Sequence, residues 1–237
     1  MNLSCKELKR QARETLNGRY GLPMGTYVVT GLIVLAVTFP FHYSYQKNPG
    51  TLQFVIYSLA TLIISLLSTV LSCGIIRIHL DMARGKEKNF ADLFYYFSKR
   101  PDRLIFAQLL LMLIVFASLI PGAVCLVCLF VFRSTAWTIL AAILMAAAFA
   151  LTCYLSLSFG LVYYFLVDNE TIGAMAAFRL SFEHMKGNRG RLLYIWLSFI
   201  GMALLCLLSF GIGFLWVSPY MSQTVVAFYR NMIGEVS

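Results

Sequence analysis

Long apolar runs alternate along the chain with short segments that carry nearly all of its charged side chains. No charged residue occurs between Arg103 and Arg133. None occurs in the 38 residues between Arg191 and Arg230. A helix needs about 20 apolar residues to cross a hydrocarbon core of about 30 Å. The pattern therefore predicts an all-α integral membrane protein with about six transmembrane helices, at 20–43, 53–76, 104–131, 136–166, 192–210 and 213–231.

The last of these apolar runs is too long for a single crossing. As one helix, its 38 residues would extend about 57 Å at 1.5 Å per residue. Gly211 and Gly213 lie near its middle, and we divide the run there because glycine permits a tight turn at low steric cost. Pro219 and Gln223 make the last span rather polar. The alternative is therefore five spans followed by a re-entrant or interfacial C-terminal segment.

The charged segments predict the orientation of the chain. Four segments hold 17 of the 19 Lys and Arg residues and all ten acidic residues. These segments are 1–19, 77–103, 168–191 and 230–237. Because cytoplasmic loops are rich in Lys and Arg, we expect both termini in the cytoplasm. Lys47 and Arg133, the two remaining basic residues, then lie outside.

Three of the charged segments also have the spacing of an amphipathic helix that precedes an apolar hairpin. The first begins with Ser4 and Glu7, the pattern of a capping box. Apolar residues recur at helical steps in all three segments, which places them on one face. The predicted apolar faces are Cys5, Leu8, Ala12 and Leu16; Phe90, Leu93, Phe94 and Phe97; and Ile172, Met175, Phe178, Phe182 and Met185. We expect these helices to lie flat at the lipid headgroups on the cytoplasmic side.

The succession of amphipathic helix and hairpin predicts an internal repeat within one membrane domain, 1–237. A basic residue stands before each hairpin, at Arg19, Arg103 and Arg191. Internal repeats are common in membrane transport folds. The alternative is that apolar hairpins simply have basic amphipathic flanks. The predicted repeat-like units are 1–80, 81–168 and 169–237.

The composition agrees with a membrane location. Apolar residues make up 60% of the chain and charged residues 12%, whereas soluble domains are about 45–50% apolar and about 25% charged. A formal charge of +9 would suggest nucleic acid in a soluble domain. Here 17 of the basic residues lie in the inner segments. The charge therefore indicates orientation and a basic inner surface, and we expect no nucleic-acid partner.

The predicted spans carry no Asp, Glu, Lys or Arg in their interiors. Ion-driven transporters usually place an ionisable residue within the membrane, so a carrier driven by an intramembrane carboxylate is disfavoured. Cys125 and Cys128 match a C-x-x-C pattern, but they lie in an apolar span without a nearby Lys or His, so a redox or metal role is disfavoured. We predict that the protein is not an enzyme and uses no cofactor. The residues predicted to break or bend helices are Pro121, Gly122, Gly211, Gly213 and Pro219.

Two polar features of the inner side are candidate binding surfaces. The cluster Asp168-Asn169-Glu170 could bind a cation or a basic partner, but capping of the next helix by Asn169 or Thr171 is favoured. The second feature is a basic surface that would face anionic headgroups of the inner leaflet, or a membrane-protein partner, with about 1 kcal/mol for each basic residue near the surface. Its residues are Lys86, Lys88, Lys99, Arg100, Lys186, Arg189 and Arg191.

Most of the chain resembles a bacterial integral membrane family catalogued as domain of unknown function 975. The resemblance is most specific in the last third, at 185–189, 197–201, 211–213, 215–216, 219–220 and 228–230. It extends to Lys6–Gly18 and to Asp92-Leu93-Phe94. Glu170 stands where the family usually has a proline after Asn169, so a proline-initiated helix is not expected here. The resemblance implies a multi-pass protein of the bacterial cytoplasmic membrane and implies no particular activity.

The leading hypothesis is a non-enzymatic, membrane-organising or accessory subunit that contacts lipid or a partner protein through its cytoplasmic amphipathic helices. The alternative is a permease-like transport component for a hydrophobic or amphipathic solute. A polar cavity would support that alternative, with a lining such as Gln108, Ser156, Ser158 and Gln223.

A third hypothesis is an enzyme of lipid metabolism. It requires a pocket at headgroup depth in which acidic and basic side chains converge. The residues that would have to converge are Asp168, Glu170, Arg189 and Arg191.

Overall fold

The computed structural model describes residues 3–132 and 135–236, and every regular element within them is helical. Arg133, predicted on the outer side, lies outside the described residues. A 3₁₀ helix, Phe90–Phe94, stands between α3 and α4. The α-helices are α1 Cys5–Leu16, α2 Gly21–Lys47, α3 Thr51–Ala83, α4 Tyr95–Ser98, α5 Pro101–Phe132, α6 Thr135–Ser158, α7 Val162–Asp168, α8 Ala174–Met185, α9 Arg189–Leu197, α10 Ile200–Leu208 and α11 Phe214–Met232.

Five helical stretches are long and apolar enough to cross a membrane. They are Gly21–Lys47, Thr51–Ala83, Pro101–Val127, Trp137–Asp168 and Arg189–Leu208. The sixth predicted span corresponds to α11, which is helical over its whole length but is not among these five. Its polar side chains, such as Gln223 and Asn231, explain the difference.

Two of the predicted spans are interrupted. The span 136–166 divides into α6 and α7, and the span 192–210 divides into α9 and α10. At the first interruption, the Ser181 hydroxyl donates to the Ser158 carbonyl oxygen (2.9 Å) and accepts from the Leu161 amide (3.3 Å). Non-helical backbone is tolerated at membrane depth where neighbouring groups satisfy it. The side chain from α8 therefore supplies hydrogen bonds that the broken helix lacks.

Helix α3 runs further than its predicted span, 53–76, and ends at Ala83. The additional turns carry Arg77, His79 and Asp81. The predicted span itself carries no charged residue, and these charges lie beyond it, in the segment 77–103 that is predicted on the inner side. Arg77 and Asp81 are an i, i+4 ion pair with 3.8 Å between Nε and Oδ2, which lowers the cost of having both charges on one helix.

Buried side chains concentrate in the half of the bundle next to the charged segments. In α3 the buried residues begin at Val70 and continue to Met82. The other half of the bundle turns large apolar side chains outward, with exposed fractions of 63% for Leu35, 68% for Phe116 and 71% for Phe149. Apolar patches of this extent on a soluble monomer would be unusual. They fit a surface that is covered by lipid.

The first amphipathic segment forms α1, with Ser4 as its N-cap. The Ser4 hydroxyl accepts a hydrogen bond from the Glu7 amide at 3.3 Å. The buried residues of α1 are Leu8, Ala12 and Leu16. These are three of the four residues predicted for its apolar face.

The predicted face of the second segment is wrong. This segment is a 3₁₀ helix followed by one α-helical turn, so the regular spacing of a single α-helix does not apply to it. Leu93 and Tyr96 are fully buried, whereas Phe90, Phe94 and Phe97 are exposed. A Cβ atom on Gly74 of α3 would lie 2.8 Å from the Leu93 carbonyl carbon, so Gly74 permits the segment to lie directly on α3.

The third segment begins later than predicted, because α8 starts at Ala174. Phe178 and Met185 are buried as predicted, but Met175 is 65% exposed. Ala174 and Ala177 lie in the core in its place. Small side chains let α8 approach the bundle closely, and its buried face combines these two alanines with Phe178 and Met185.

Candidate functional site

Arg84 joins three distant parts of the chain at one end of the bundle. Its guanidinium donates to both carboxylate oxygens of Asp168, at 2.5 and 3.2 Å. It also donates to Glu235, with 2.8 Å from Nη2 to Oε2. The Tyr229 hydroxyl donates to Asp168 at 2.9 Å. The hydrogen bonds that Arg84 donates to Glu235 and Asp168 raise the pKa of Arg84, and the bond to Glu235 lowers the pKa of Glu235.

A second ion pair joins Arg77 to Glu170. Arg77 Nη1 lies 2.6 Å from Glu170 Oε1, and its guanidinium carbon stands 3.6 Å above the centre of the Tyr95 ring. The Tyr95 hydroxyl donates to Glu170 at 3.3 Å. The hydrogen bond from Arg77 lowers the pKa of Glu170. Glu170 is therefore held as a carboxylate between a cation and a phenol.

Asp81 is surrounded by cations. Lys88 Nζ lies 2.9 Å from Asp81 Oδ2, and Lys86 Nζ lies 3.4 Å from Asp81 Oδ1. Lys88 also reaches Asp92 at 3.7 Å. Each carboxylate of this cluster is thus balanced by at least one basic side chain of the same chain.

Arg103 is buried, with 4% of its surface exposed, and serves as a cap for α7. Its guanidinium donates to the carbonyl oxygens of Leu166 (3.3 Å), Asn169 (3.1 Å) and Ile172 (2.9 Å). The last carbonyls of a helix lack intrahelical partners, and a cation is favourable beside them. Arg103 therefore fixes the end of α7 and the loop that carries Glu170.

A cavity of about 380 Å³ lies within this charged cluster, between the end of α3 and the loop after α7. Its charged lining consists of Arg77, Asp81, Arg84, Lys86, Lys88, Asp168 and Glu170. A general base works best with a pKa near the operating pH. Glu170 has a lowered pKa, so the cluster is better suited to electrostatic binding than to proton transfer.

The sequence favoured capping of the next helix by Asn169 or Thr171, and this prediction is wrong. The N-cap of α8 is Gly173. The Asn169 side chain instead accepts from the amide (3.0 Å) and the hydroxyl (2.6 Å) of Thr171 and closes a local turn. Asp168 and Glu170 pair with arginines 84 and 93 positions earlier. Partners so far apart in the chain produce no local sequence pattern from which the ion pairs could be predicted.

Three of the first four residues of the predicted basic surface, Lys86, Lys88 and Arg100, contact residues of the charged cluster. Lys86 and Lys88 contact Asp81, as described above. Lys99 is exposed. Arg100 is exposed as well, and its guanidinium is 3.5 Å from the Glu170 carbonyl oxygen.

The other three residues contact different parts of the chain. Lys186 lies 5.7 Å from the centre of the Phe182 ring, and Arg189 lies 4.3 Å from that of Tyr154. Arg191 donates to the Leu3 carbonyl oxygen at 2.8 Å and to the Asn231 side chain at 3.0 Å.

Convergence of acidic and basic residues in one pocket was required by the lipid-enzyme hypothesis. Asp168 and Glu170 contact Arg84 and Arg77, as described above. Arg189 contacts Tyr154, and Arg191 contacts Leu3 and Asn231. The structure therefore does not bring these four residues together.

The polar residues named for a transport cavity also have separate partners. Gln108 accepts from Tyr163, and the Ser158 hydroxyl donates to the Tyr154 carbonyl oxygen at 2.6 Å. Gln223 bonds to His79.

The predicted helix-breaking residues behave in two ways. Helix α5 continues through Pro121 and Gly122, and α11 continues through Pro219, so none of these residues breaks its helix. The chain does turn between α10 and α11, where Gly211 has φ +86°. A Cβ atom on Gly213 would lie 2.8 Å from Cys206 Sγ. Gly211 therefore permits the turn, and Gly213 permits the chain after the turn to pass close to Cys206.

In the described residues the chain is all-helical, and five of its helical stretches are long and apolar enough to span a membrane. It belongs to the family described as Protein of unknown function (DUF975), whose model matches residues 1–235. A search of curated proteins and a search of solved structures found no match to the chain.

Proposed function

We propose that the protein is a non-enzymatic, membrane-organising or accessory subunit of the bacterial cytoplasmic membrane. In this proposal its charged end lies in the cytoplasm and contacts anionic lipid headgroups or a partner protein. The spans then form three hairpins, each preceded by a short helix at the inner interface.

The contacts between the charged segments support a common side for all of them. Arg84 bonds to Asp168 and Glu235, and Arg191 bonds to Leu3 and Asn231. Segments in direct contact cannot lie on opposite sides of a bilayer about 30 Å thick. These contacts support the proposal that both termini lie on the basic side, since the cytoplasmic side of membrane proteins is rich in Lys and Arg.

The observation that carries the proposal is the exposed surface of the second interfacial segment. Phe90, Phe94 and Phe97 are each about 40% exposed, at 38%, 43% and 41%. Lys99 and Arg100 follow them directly and are exposed as well. Aromatic rings next to basic side chains favour the boundary between headgroups and acyl chains, where each finds its preferred surroundings.

Lipid retention by a charge-neutralised variant tests this proposal. The variant K99Q/R100Q is purified in mild detergent from bacterial membranes, and the retained phosphatidylglycerol and cardiolipin are measured by mass spectrometry against phosphatidylethanolamine. At about 1 kcal/mol for each basic residue, we expect the anionic-to-zwitterionic ratio at these sites to fall about fivefold for each charge removed. Lys99 and Arg100 are preferable to Lys86 and Lys88, because the latter two neutralise Asp81.

The matched control is K47Q/R133Q, which removes the same charge from residues predicted on the outer side. It should retain anionic lipid as the wild type does. Proteins cross-linked to the variant in intact membranes are compared with those of the wild type in parallel. If neither the lipid ratio nor the cross-linked partners change in K99Q/R100Q, the proposal is rejected.

A further inference from the structure

The charged side chains of α1 separate into two stripes along the helix. Residues three and four positions apart lie on one side of a helix, and each stripe spans about 60° at 3.6 residues per turn. Both stripes lie outside the buried face of the helix. The first stripe consists of Lys6, Lys9 and Arg13, and the second of Glu7, Arg10 and Glu14.

The two stripes differ in their charge balance. In the second stripe, Arg10 forms ion pairs with Glu7 and Glu14, and its Nε lies 3.8 Å from Glu14 Oε1. The first stripe has only basic side chains. Within the described residues, no acidic side chain forms an ion pair with any of them. One side of α1 therefore carries three positive charges that the described part of the chain does not neutralise.

The unneutralised stripe lines a cavity of about 370 Å³ between α1 and α9. Lys9 is fixed at the α9 wall, because its ammonium donates to the Ser198 carbonyl oxygen at 3.1 Å and stands 4.2 Å from the centre of the Phe199 ring. Lys6 and Arg13 are exposed. The complete lining, which contains no acidic residue, is Ser4, Cys5, Lys6, Lys9, Arg13, Tyr194 and Ser198.

This lining is suited to a phosphate group with more than one negative charge. Lys and Arg form strong, charge-assisted hydrogen bonds with phosphate oxygens. The Ser4 hydroxyl accepts from the Glu7 amide, so its own proton remains available for a further hydrogen bond. A single phosphodiester charge would leave two of the three cations without a counter-charge, whereas a doubly charged headgroup balances more of them.

The surroundings of the cavity favour a lipid over a soluble phosphate compound. Helix α9 belongs to a stretch that is long and apolar enough to cross a membrane. Its exposed side chains include Leu193, Trp196 and Leu197, at 43%, 45% and 52%. A phospholipid can place its headgroup among the cations and its acyl chains against this apolar surface. Basic pockets between membrane helices on the cytoplasmic side bind lipid headgroups in this way.

We propose that the cavity between α1 and α9 binds the headgroup of a phospholipid that carries about two negative charges, such as cardiolipin or phosphatidic acid. Lys6, Lys9 and Arg13 hold the phosphate oxygens. The proposal rests on the membrane location in the proposed function, but its site is separate from the segment that carries Lys99 and Arg100.

Native mass spectrometry of the full chain tests the proposal. The protein is delipidated in mild detergent and titrated with cardiolipin, phosphatidic acid, phosphatidylglycerol or phosphatidylethanolamine, and the Kd of the first lipid adduct is measured. We expect the two doubly charged lipids to bind most tightly. The variant K6Q/R13Q should raise their Kd about fivefold for each charge removed, or about 25-fold in total. Lys9 is left unchanged because it holds the Ser198 carbonyl.

Two variants serve as controls for the site. R10Q/R179Q removes two positive charges from exposed ion pairs of the same end, and its Kd should match that of the wild type. K99Q/R100Q alters the surface that carries the proposed function and should also leave the first adduct intact. If K6Q/R13Q binds cardiolipin as tightly as the wild type, or if either control weakens the first adduct equally, the cavity is not the site. The proposed function is judged separately, by total lipid retention in K99Q/R100Q.

Chemical protection of Lys6 locates the bound lipid. The wild type is placed in phosphatidylcholine nanodiscs with and without cardiolipin, and its lysines are acetylated by a water-soluble reagent and quantified by peptide mass spectrometry. Cardiolipin should slow the modification of Lys6 but not of Lys186, which is exposed on a different segment. Unchanged reactivity of Lys6 would contradict the proposal. Equal protection by glycerol 3-phosphate without cardiolipin would also overturn it, because the ligand would then be a soluble phosphate compound.

Discussion

At the scale of single residues, a few arginines hold the charged end together. Arg84 binds two carboxylates from different segments, Arg77 binds a third, and Arg103 caps α7 through three carbonyls. The sequence indicated that these residues lie on the inner side, but it did not indicate their partners. The reason is physical, because the partners of Arg84 are 84 and 151 positions away. Only the packed bundle brings such positions within hydrogen-bond distance.

Acid should loosen this end of the molecule. The pKa values of Glu170 and Glu235 are both lowered by arginine hydrogen bonds. A carboxyl group with a lowered folded-state pKa stabilises the fold above its ordinary pKa of about 4.3, and the contribution disappears as the pH falls through the folded-state value. We therefore expect the thermal unfolding midpoint in detergent to be constant near neutral pH. It should decrease when the pH is lowered below about 4.3.

The variant E235Q should lose part of this pH dependence, because its side chain cannot titrate. E87Q is the matched control, since Glu87 is an exposed glutamate near the same end and should leave the curve unchanged. Identical pH curves for E235Q and the wild type would mean that the Arg84–Glu235 pair does not contribute to stability.

At the scale of elements, the apolar runs predicted most of the long helices, and the interruptions depended on tertiary contacts. The gap between α6 and α7 is satisfied by Ser181, which belongs to α8. No residue within the apolar run itself reveals that partner.

A short helix precedes a pair of longer helical stretches three times in the order of elements. The residue at each junction has a left-handed backbone, at Gly18, Arg100 and Gly187. The internal repeat nevertheless stays a prediction.

Gly74 offers a test of how the second interfacial segment is held. A methyl group there would overlap the backbone of Leu93, so G74A should separate the segment from α3. Overpacking of this kind costs typically about 1–3 kcal/mol, and we expect a lower unfolding midpoint together with faster proteolysis around residue 93. The control is G31A, since Gly31 has open space around it and alanine favours a helix by about 1 kcal/mol. Equal stability of G74A and the wild type would contradict the close contact.

At the scale of the whole molecule, the contacts between the charged segments bear on the arrangement that the sequence left open. Glu235 bonds to Arg84, so the end of α11 lies on the same side as the end of α3. This contact favours the proposed arrangement with both termini on one side over five crossings with a C-terminal segment on the far side. The third hairpin is also short, because α9 and α10 together cover 189–208 whereas α2 alone covers 21–47. Its tip exposes Phe210 almost completely, at 98%.

Reporter fusions test this arrangement. Two reporters are used, one that is active only in the cytoplasm and one that is active only in the periplasm. Fused after Ser237, the first should be active and the second inactive. A reporter inserted after Asn48, between α2 and α3, should give the opposite pattern. We expect this because Asn48 and Arg84 flank opposite ends of the long helix α3. Periplasmic activity of the fusion after Ser237 would contradict the common side of the charged segments.

The uneven distribution of buried side chains has a mechanical consequence. The inner half of the bundle is held by its own core, whereas the outer half turns Leu35, Phe116 and Phe149 outward. A change in bilayer thickness or lateral pressure would therefore deform the outer halves of the helices first. The half that carries the ion pairs would move as a rigid base, so tension on the other half would spread its helix ends without disrupting those ion pairs.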